Sequence, residues 1–200
     1  MNLDELRSKE EQAKICTLAM MSYNASIARV LEKGGVKKFK EIAWRNYKEI
    51  IKIQRTKEQF DNFHSRFVEE IINKIRTNKG NRLVYGQAQK PVNVVLKVLV
   101  DWANLPDKDT AEQLREFLHV PLDRILMKEF KKEYPEKFEK KIKPEYSNAR
   151  IPSSPNKYHS LRYVINKDIY WAWQTTFREV HPEKPVLLDV AWFLNRETGK

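Results

Sequence analysis

Two hundred residues with 38 Lys and Arg against 27 Asp and Glu carry a formal charge of +11, a length that normally makes one domain with a sizeable core. One cysteine, Cys16, leaves no internal disulfide; no run reaches the 18 or so apolar residues of a membrane span, and the acidic start MNLDELRSKEEQ is unlike a signal peptide. The expectation is a cytoplasmic protein without a membrane segment, and with only five glycines and no GxGxxG or GxxxxGK[ST], a phosphate-cradling loop is excluded.

The chain reads as helical from the start. Residues 3–33 carry Leu3, Leu6, Ile15, Leu18, Ile27, Val30 and Leu31 at helical spacing, and Gly34-Gly35 ends that run. A second helix over 37–54 buries Phe39, Ile42, Ala43, Tyr47, Ile50 and Ile51 and presents an outer face of Lys and Arg. Thr56 and Gln59 fit a capping box ahead of Phe60, Phe63, Phe67, Ile71 and Ile75. His64 lies on that apolar side and reads as a packed core histidine.

The stretch YGQAQKPVNVVLKVLVDWA, Tyr85 to Ala103, is the expected axis of the core. On a helix, Val92, Val95, Leu96, Leu99 and Trp102 share one side, leaving a polar seam of Gln89, Lys90, Asn93, Lys97 and Asp101 to face solvent, a partner or a ligand. Interior proline costs about 3 kcal/mol, so Pro91 places the helix start between Ala88 and Pro91 and the helix itself at about 88–103.

Beyond it, Asp109 or Thr110 caps a short helix over 109–118, and Pro121 begins another carrying Leu122, Ile125, Leu126 and Phe130. Residues 133–158, rich in Pro and Lys, read as a long loop. Leu161–Ile165 reads as a short strand, Asn166 or Asp168 as the start of a helix burying Ile169, Trp173, Phe177 and Val180, and Pro185 as the start of a last helix. Together these give an all-α single globular domain of seven or eight helices around the central one, with at most a minor β-ribbon.

Charge distribution narrows the function. Residues 71–100 contain no Asp or Glu, and Arg29–Lys57 holds ten basic residues against Glu32, Glu41 and Glu49. A surface rich in both Lys and Glu also serves solubility alone; clustering favours a polyanion partner. The expected basic face comprises residues 37–57, 74–97 and 150–167, with Lys79, Arg82, Gln89, Lys90, Arg124, Arg150, Lys157 and Arg162 as candidate contacts to nucleic acid. In Tyr146–Lys167, tyrosines alternate with cations, which suits base stacking with phosphate contact and equally suits a solvated loop.

Three constellations could carry chemistry. Lys97 and Asp101 at i, i+4 read as an ion pair or, if desolvated, as a lysine nucleophile beside a carboxylate, as base-excision lyases require. His119 and Asp123 bracket Pro121, where the carboxylate either orients the imidazole or complements a helix N-terminus. Leu114–Ile125 approaches a helix-turn-helix, but Arg115 and His119 occupy positions that want small residues. The ribonuclease pattern of Arg followed by His at four to six residues is not met, since Arg115 and His119 enclose three. His64, His119, His159 and His181 are scattered singly, so neither a metal nor a cofactor is expected.

Tyr85-Gly86-Gln87-Ala88-Gln89-Lys90 with Asn93 and Lys97, followed by His119-Val120-Pro121-Leu122-Asp123, resembles a set of uncharacterised prokaryotic proteins that carry GQAQK…N…K and then H-x-P-[IL]-D. The likeness covers about 40 residues, departs at Pro91 where an aromatic is expected, and brings no activity. It implies that the two stretches meet in space and form one polar site. The leading expectation is a nucleic-acid-binding protein. The alternative is an enzyme acting on nucleic acid, lyase-, glycosylase- or nuclease-like, with Lys97, Asn93, His119 and Asp123 around one pocket. A protein-interaction module or homo-oligomer is the third, with Trp44 and Trp171 as exposed anchors.

Overall fold

The computed structural model describes residues 28–50, 52 and 56–189. The expected helix over 3–33 falls almost wholly outside them, as does Cys16. The described chain is all-α: nine helices, two π turns and a 3₁₀ turn, with no strand among the described residues. The expected β-ribbon is reduced to two isolated bridges, Leu31 with Thr77 and Arg76 with Arg82. None of these helices is long and apolar enough to cross a membrane.

Contacts group the chain into two compact units. One holds the residues up to Leu83 with Pro91–Leu118, the other Val84–Lys90 with the residues from His119 onward.

In the first unit, Gly34 has φ +82°, the left-handed conformation that closes a helix and that glycine adopts without strain. Helix α1 (Gly35–Ile50) then buries Phe39, Ile42, Ala43, Tyr47 and Ile50, and α2 (Lys57–Lys74) buries Phe60, Phe63, Phe67 and Ile71. Thr56 caps α2, its hydroxyl accepting the Gln59 amide at 3.3 Å. The two helices pack together, and across them Glu70 accepts hydrogen bonds from Arg45 and from Asn46 Nδ2 (3.0 Å), and Lys74 adds 2.7 Å from its own helix. Burial alone would raise the Glu70 carboxyl; the bonds from Lys74 and Asn46 and the charge of Arg45 hold it below the ordinary range.

Helix α3 (Tyr85–Lys97) begins earlier than Pro91 suggested and carries that proline inside it. Local bonds build the first turn without it: Val84 is the cap residue, its N–H bonded to Gln87 Oε1 at 3.2 Å and its carbonyl to the Ala88 amide at 3.2 Å. The boundary between the two units lies between Lys90 and Pro91, so one helix serves both cores. Val92, Val95, Leu96 and Leu99 are buried as the periodicity requires, but Trp102 is 65 % exposed. The reason is the turn that continues the helix, a π turn over Val98–Trp102. Its extra residue per turn rotates Trp102 off the apolar side.

Helix α4 (Lys108–Arg115) is capped two residues earlier than expected, by Asp107, whose carboxylate accepts the Thr110 amide at 2.9 Å.

The second unit corrects the sequence reading most. Helix α5 (Arg124–Glu133) starts after Asp123 rather than at Pro121, and buries Leu126, Met127 and Phe130 while Ile125 is exposed. The stretch read as a loop over 133–158 is largely helical. Helix α6 (Pro135–Lys137) passes through a π turn, Phe138–Ile142, into α7 (Lys143–Asn148), and α8 (Pro155–Tyr158) follows. Pro135, Pro144 and Pro155 each sit in a first turn, where a missing amide costs nothing. The structural purpose is burial of Phe138, Ile142 and Tyr146.

Leu161–Tyr163 is a 3₁₀ turn, not a strand, and α9 (Lys167–Val180) is capped by Asn166, which accepts the Ile169 amide at 3.0 Å. Ile169, Trp173 and Phe177 of α9 are buried as expected. Chain reversal near 161–164 presses its backbone against α3: Gly86 N–H donates to the Val164 carbonyl at 2.8 Å, and a Cβ on Gly86 would lie 2.3 Å from the Leu161 carbonyl oxygen. Gly86→Ala is therefore expected to destabilise the protein by about 1–3 kcal/mol through overpacking against backbone; a melting temperature equal to that of the parent would show that this approach is not close in solution.

Candidate functional site

The polar seam of α3 does not face solvent. Gln89 is 0 %, Asn93 1 % and Lys97 5 % exposed, and each has taken a partner from the protein, as a buried polar group must.

In the first unit, Asn93 Oδ1 accepts a hydrogen bond of 2.5 Å from His64 Nε2, and His64 is buried as the sequence indicated. The Lys97 ammonium lies 5.8 Å from the centroid of the Trp102 ring. The partner given to Asp101 is Arg115, with Nε at 3.1 Å from the carboxylate and a second nitrogen on the Asp101 carbonyl at 3.0 Å. The π turn explains this, because it breaks the i, i+4 register between Lys97 and Asp101. Arg115, which spoiled the helix-turn-helix reading, also bonds Asn104.

In the second unit the stretches GQAQK and HVPLD do meet. The Gln89 amide brackets Leu122, donating to its carbonyl at 3.4 Å and accepting its N–H at 3.4 Å, while also donating to the Gly86 carbonyl at 3.0 Å. Gln174 of α9 does the same for Val120, accepting its N–H at 3.0 Å and donating to its carbonyl at 2.9 Å. Two buried glutamines thus supply hydrogen bonds to a segment that has no regular secondary structure of its own. Gln89 is engaged in clamping Leu122 and Gly86.

His119 is 2 % exposed; its Nδ1 shares a hydrogen bond of 2.6 Å with the Tyr170 hydroxyl, and its ring packs edge-on against Trp171. Asp123 caps α5 by accepting the Leu126 amide at 2.9 Å and pairs with Lys90 at 3.4 Å. That is the helix-terminus role weighed for it, and it engages both carboxylate oxygens. The four proposed catalytic residues therefore divide, Asn93 and Lys97 to one unit and His119 and Asp123 to the other. Trp44 and Trp171 are half-buried; Trp44 stacks on Tyr47 with Lys48 over its ring, and Trp171 has Arg178 over it.

The expected basic face separates into answered and unanswered charge. Within 37–57, Lys38 pairs with Glu32 at 2.9 Å, Arg45 with Glu70 and Lys52 with Glu49 at 3.4 Å, while Arg55 lies outside the described residues. Within 74–97, Lys74 pairs with Glu70, Arg76 caps the end of α2 by donating to the carbonyls of Ile72, Asn73 and Ile75, and Arg82 bonds Asn73. Lys79 and Arg82 are exposed on the turn over Thr77–Arg82.

Lys37, Lys40, Lys57 and Lys79 have no ion pair among the described residues either, and Lys48 has only the Trp44 ring, so the first unit keeps unanswered charge as well; what the second unit adds is its grouping. Arg124, Lys128 and Lys131 recur at i, i+4 and i+7 on α5, so they share a side of that helix. Residues 146–167 contain no Asp or Glu, Arg150 and Arg162 are exposed there, and Lys157 lies 5.6 Å from the centroid of the Tyr163 ring. None of these six cations has an ion pair among the described residues. Lys128 and Lys131, and His159 next to Tyr158, were not singled out by sequence reasoning. The i, i+4, i+7 spacing on α5 was the available signal, hidden by the flanking Glu129 and Glu133.

Comparison with family models, with curated proteins and with solved structures gives no match.

Proposed function

We propose that the protein binds nucleic acid, with the phosphate backbone held by the cationic side of the second unit. The observation that carries this is a grouping of cations without carboxylate partners: Arg124, Lys128 and Lys131 on one side of α5, with Arg150, Lys157 and Arg162 in a stretch that holds no Asp or Glu. Paired surface cations have little to offer a polyanion, because a phosphate must first displace the carboxylate; unpaired ones release counterions on binding. Tyr163, half-buried under Lys157, adds an aromatic surface of the kind on which an unpaired base stacks.

The enzyme reading has less support. Asn93 is bonded to His64 and Asp123 to a helix terminus and Lys90, so neither is placed as a proton carrier for a substrate.

Fluorescence anisotropy with labelled duplex DNA, single-stranded DNA and RNA tests the proposal. Binding is expected at about 50 mM salt and a large loss of affinity by about 200 mM. Absence of binding to all three at the lower salt would refute it.

A further inference from the structure

His159 follows directly on Tyr158, and Tyr158 is fixed in a buried aromatic cluster. Its ring packs edge-on against Phe138 and Tyr146, with centroids 5.3 and 5.1 Å apart. The Tyr146 hydroxyl donates to the Tyr158 carbonyl at 3.3 Å and accepts from Trp173 Nε1 at 3.1 Å. The same cluster receives the cationic side of α5, since the Lys131 ammonium lies 4.7 Å from the Phe138 centroid and 5.1 Å from that of Tyr158. The residue preceding His159 is thereby held beside Lys131 of α5.

Two properties of the imidazole stand out. Its Nε2 is shut off from solvent and has no hydrogen-bond partner among the described residues. Burial first, then the charges of Lys131, Lys128 and Arg124, hold its pKa below the ordinary histidine value, so the ring is neutral at pH 7. No carboxylate figures among the groups that act on it; its own segment adds the cations Lys157 and Arg162. A histidine acted on by three cations that have no carboxylate partner stands where an anion would offset their mutual repulsion.

We infer that His159, Arg124, Lys128 and Lys131 form a phosphate-binding site in which the imidazole takes up a proton as the anion binds. This rests on the proposed function and names the contact within it. Three cations supply the attraction, and the anion in turn offsets their repulsion of an imidazolium, which then donates a charge-assisted hydrogen bond. The proton comes from solvent. Because the bound-state pKa is the higher one, the added affinity is fully present below the free-state pKa and is lost as pH rises through the bound-state value.

The test follows the His159 imidazole resonances by NMR from pH 5 to 8, alone, with a short oligothymidylate, and with inorganic sulfate against chloride at equal ionic strength. Neither ligand titrates in that range. The His159 midpoint is expected to rise on addition of oligothymidylate, and anisotropy is expected to show about a threefold to tenfold gain in affinity between pH 8 and 5.5. His159→Gln is expected to keep binding at pH 8 and to lose that gain. Oligonucleotide binding with an unmoved midpoint, or an unchanged pH dependence in His159→Gln, overturns this inference and leaves the proposed function standing. A midpoint moved by sulfate without oligonucleotide binding supports the site for a free phosphorylated ligand and removes the nucleic-acid reading. No movement with either ligand and no binding removes both.

Discussion

Replacing Arg124, Lys128 and Lys131 together by glutamine is expected to weaken binding of a single-stranded oligonucleotide by about a hundredfold at 0.1 M salt, and to lower the slope of log affinity against log salt by about 2. The figure follows from counterion release. Each phosphate neutralised on a single strand contributes about 0.7 to that slope, so three lost contacts remove about two decades at 0.1 M. Arg124 and Lys128 are exposed, and α5 keeps its buried Leu126, Met127 and Phe130, so the fold should survive the change. Lys131 covers two aromatic rings, and its loss is the one with a structural component. A circular-dichroism melt of the triple variant separates the two. The same substitutions at Lys38, Arg45 and Lys52, whose charges are answered by Glu32, Glu70 and Glu49, are expected to change affinity by less than about threefold, as surface pairs contribute little. Equal effects of the two triple variants would show that binding follows total charge and has no site.

The largest expected effect on stability comes from Gln174→Leu. The substitution keeps the apolar volume but removes both hydrogen bonds to Val120, which lies in a buried segment. Leaving a buried donor and acceptor without those bonds is expected to cost about 2–5 kcal/mol, or roughly 5–15 °C in melting temperature for a chain of this length. Gln89→Leu removes the corresponding bonds to Leu122 and one to Gly86 and is expected to be of similar size. A calorimetric melt within about 2 °C of the parent for both variants would mean that the segment is held by its apolar side chains, Val120 and Leu122, and not by the glutamines.

These two glutamines show where sequence reading ran out. Gln89 was legible as one of a few polar residues on a mostly apolar helix, and the presence of a polar seam was right. Its direction was not legible, because the groups it satisfies belong to residues 119–123, more than thirty positions away, and a glutamine can serve a backbone as well as it serves a base. Asn93 went the same way, its partner being His64 on α2. The apolar faces of α1, α2 and α9 were read largely correctly because each repeats over several turns with a clear period, although Val180 is half-buried and Ile51 lies outside the described residues. The helices over Pro135–Asn148 were missed because proline and lysine density outweighed Phe138, Ile142 and Tyr146, whose spacing of four is the helical signal. Trp102 was misplaced by the π turn, a local insertion that no periodicity can reveal in advance.

Charge told a similar story. The counts in 29–57 and 71–100 were correct as counts, yet Glu32, Glu49 and Glu70 answer cations on α1 and α2 through the fold. Of the unanswered cations in the second unit, Arg124, Arg150, Lys157 and Arg162 were legible as candidates, whereas Lys128 and Lys131 stand beside Glu129 and Glu133 in the sequence and were passed over.

The central claim, that the cationic side of the second unit holds phosphate, is tested most directly by mapping amide and side-chain chemical shifts on titration with oligothymidylate. Perturbations are expected to concentrate at Arg124, Lys128, Lys131 and the stretch from Lys157 to Tyr163, with Lys38, Arg45 and Lys52 unmoved. Perturbations centred on α1 and α2, with α5 unmoved, would contradict the account.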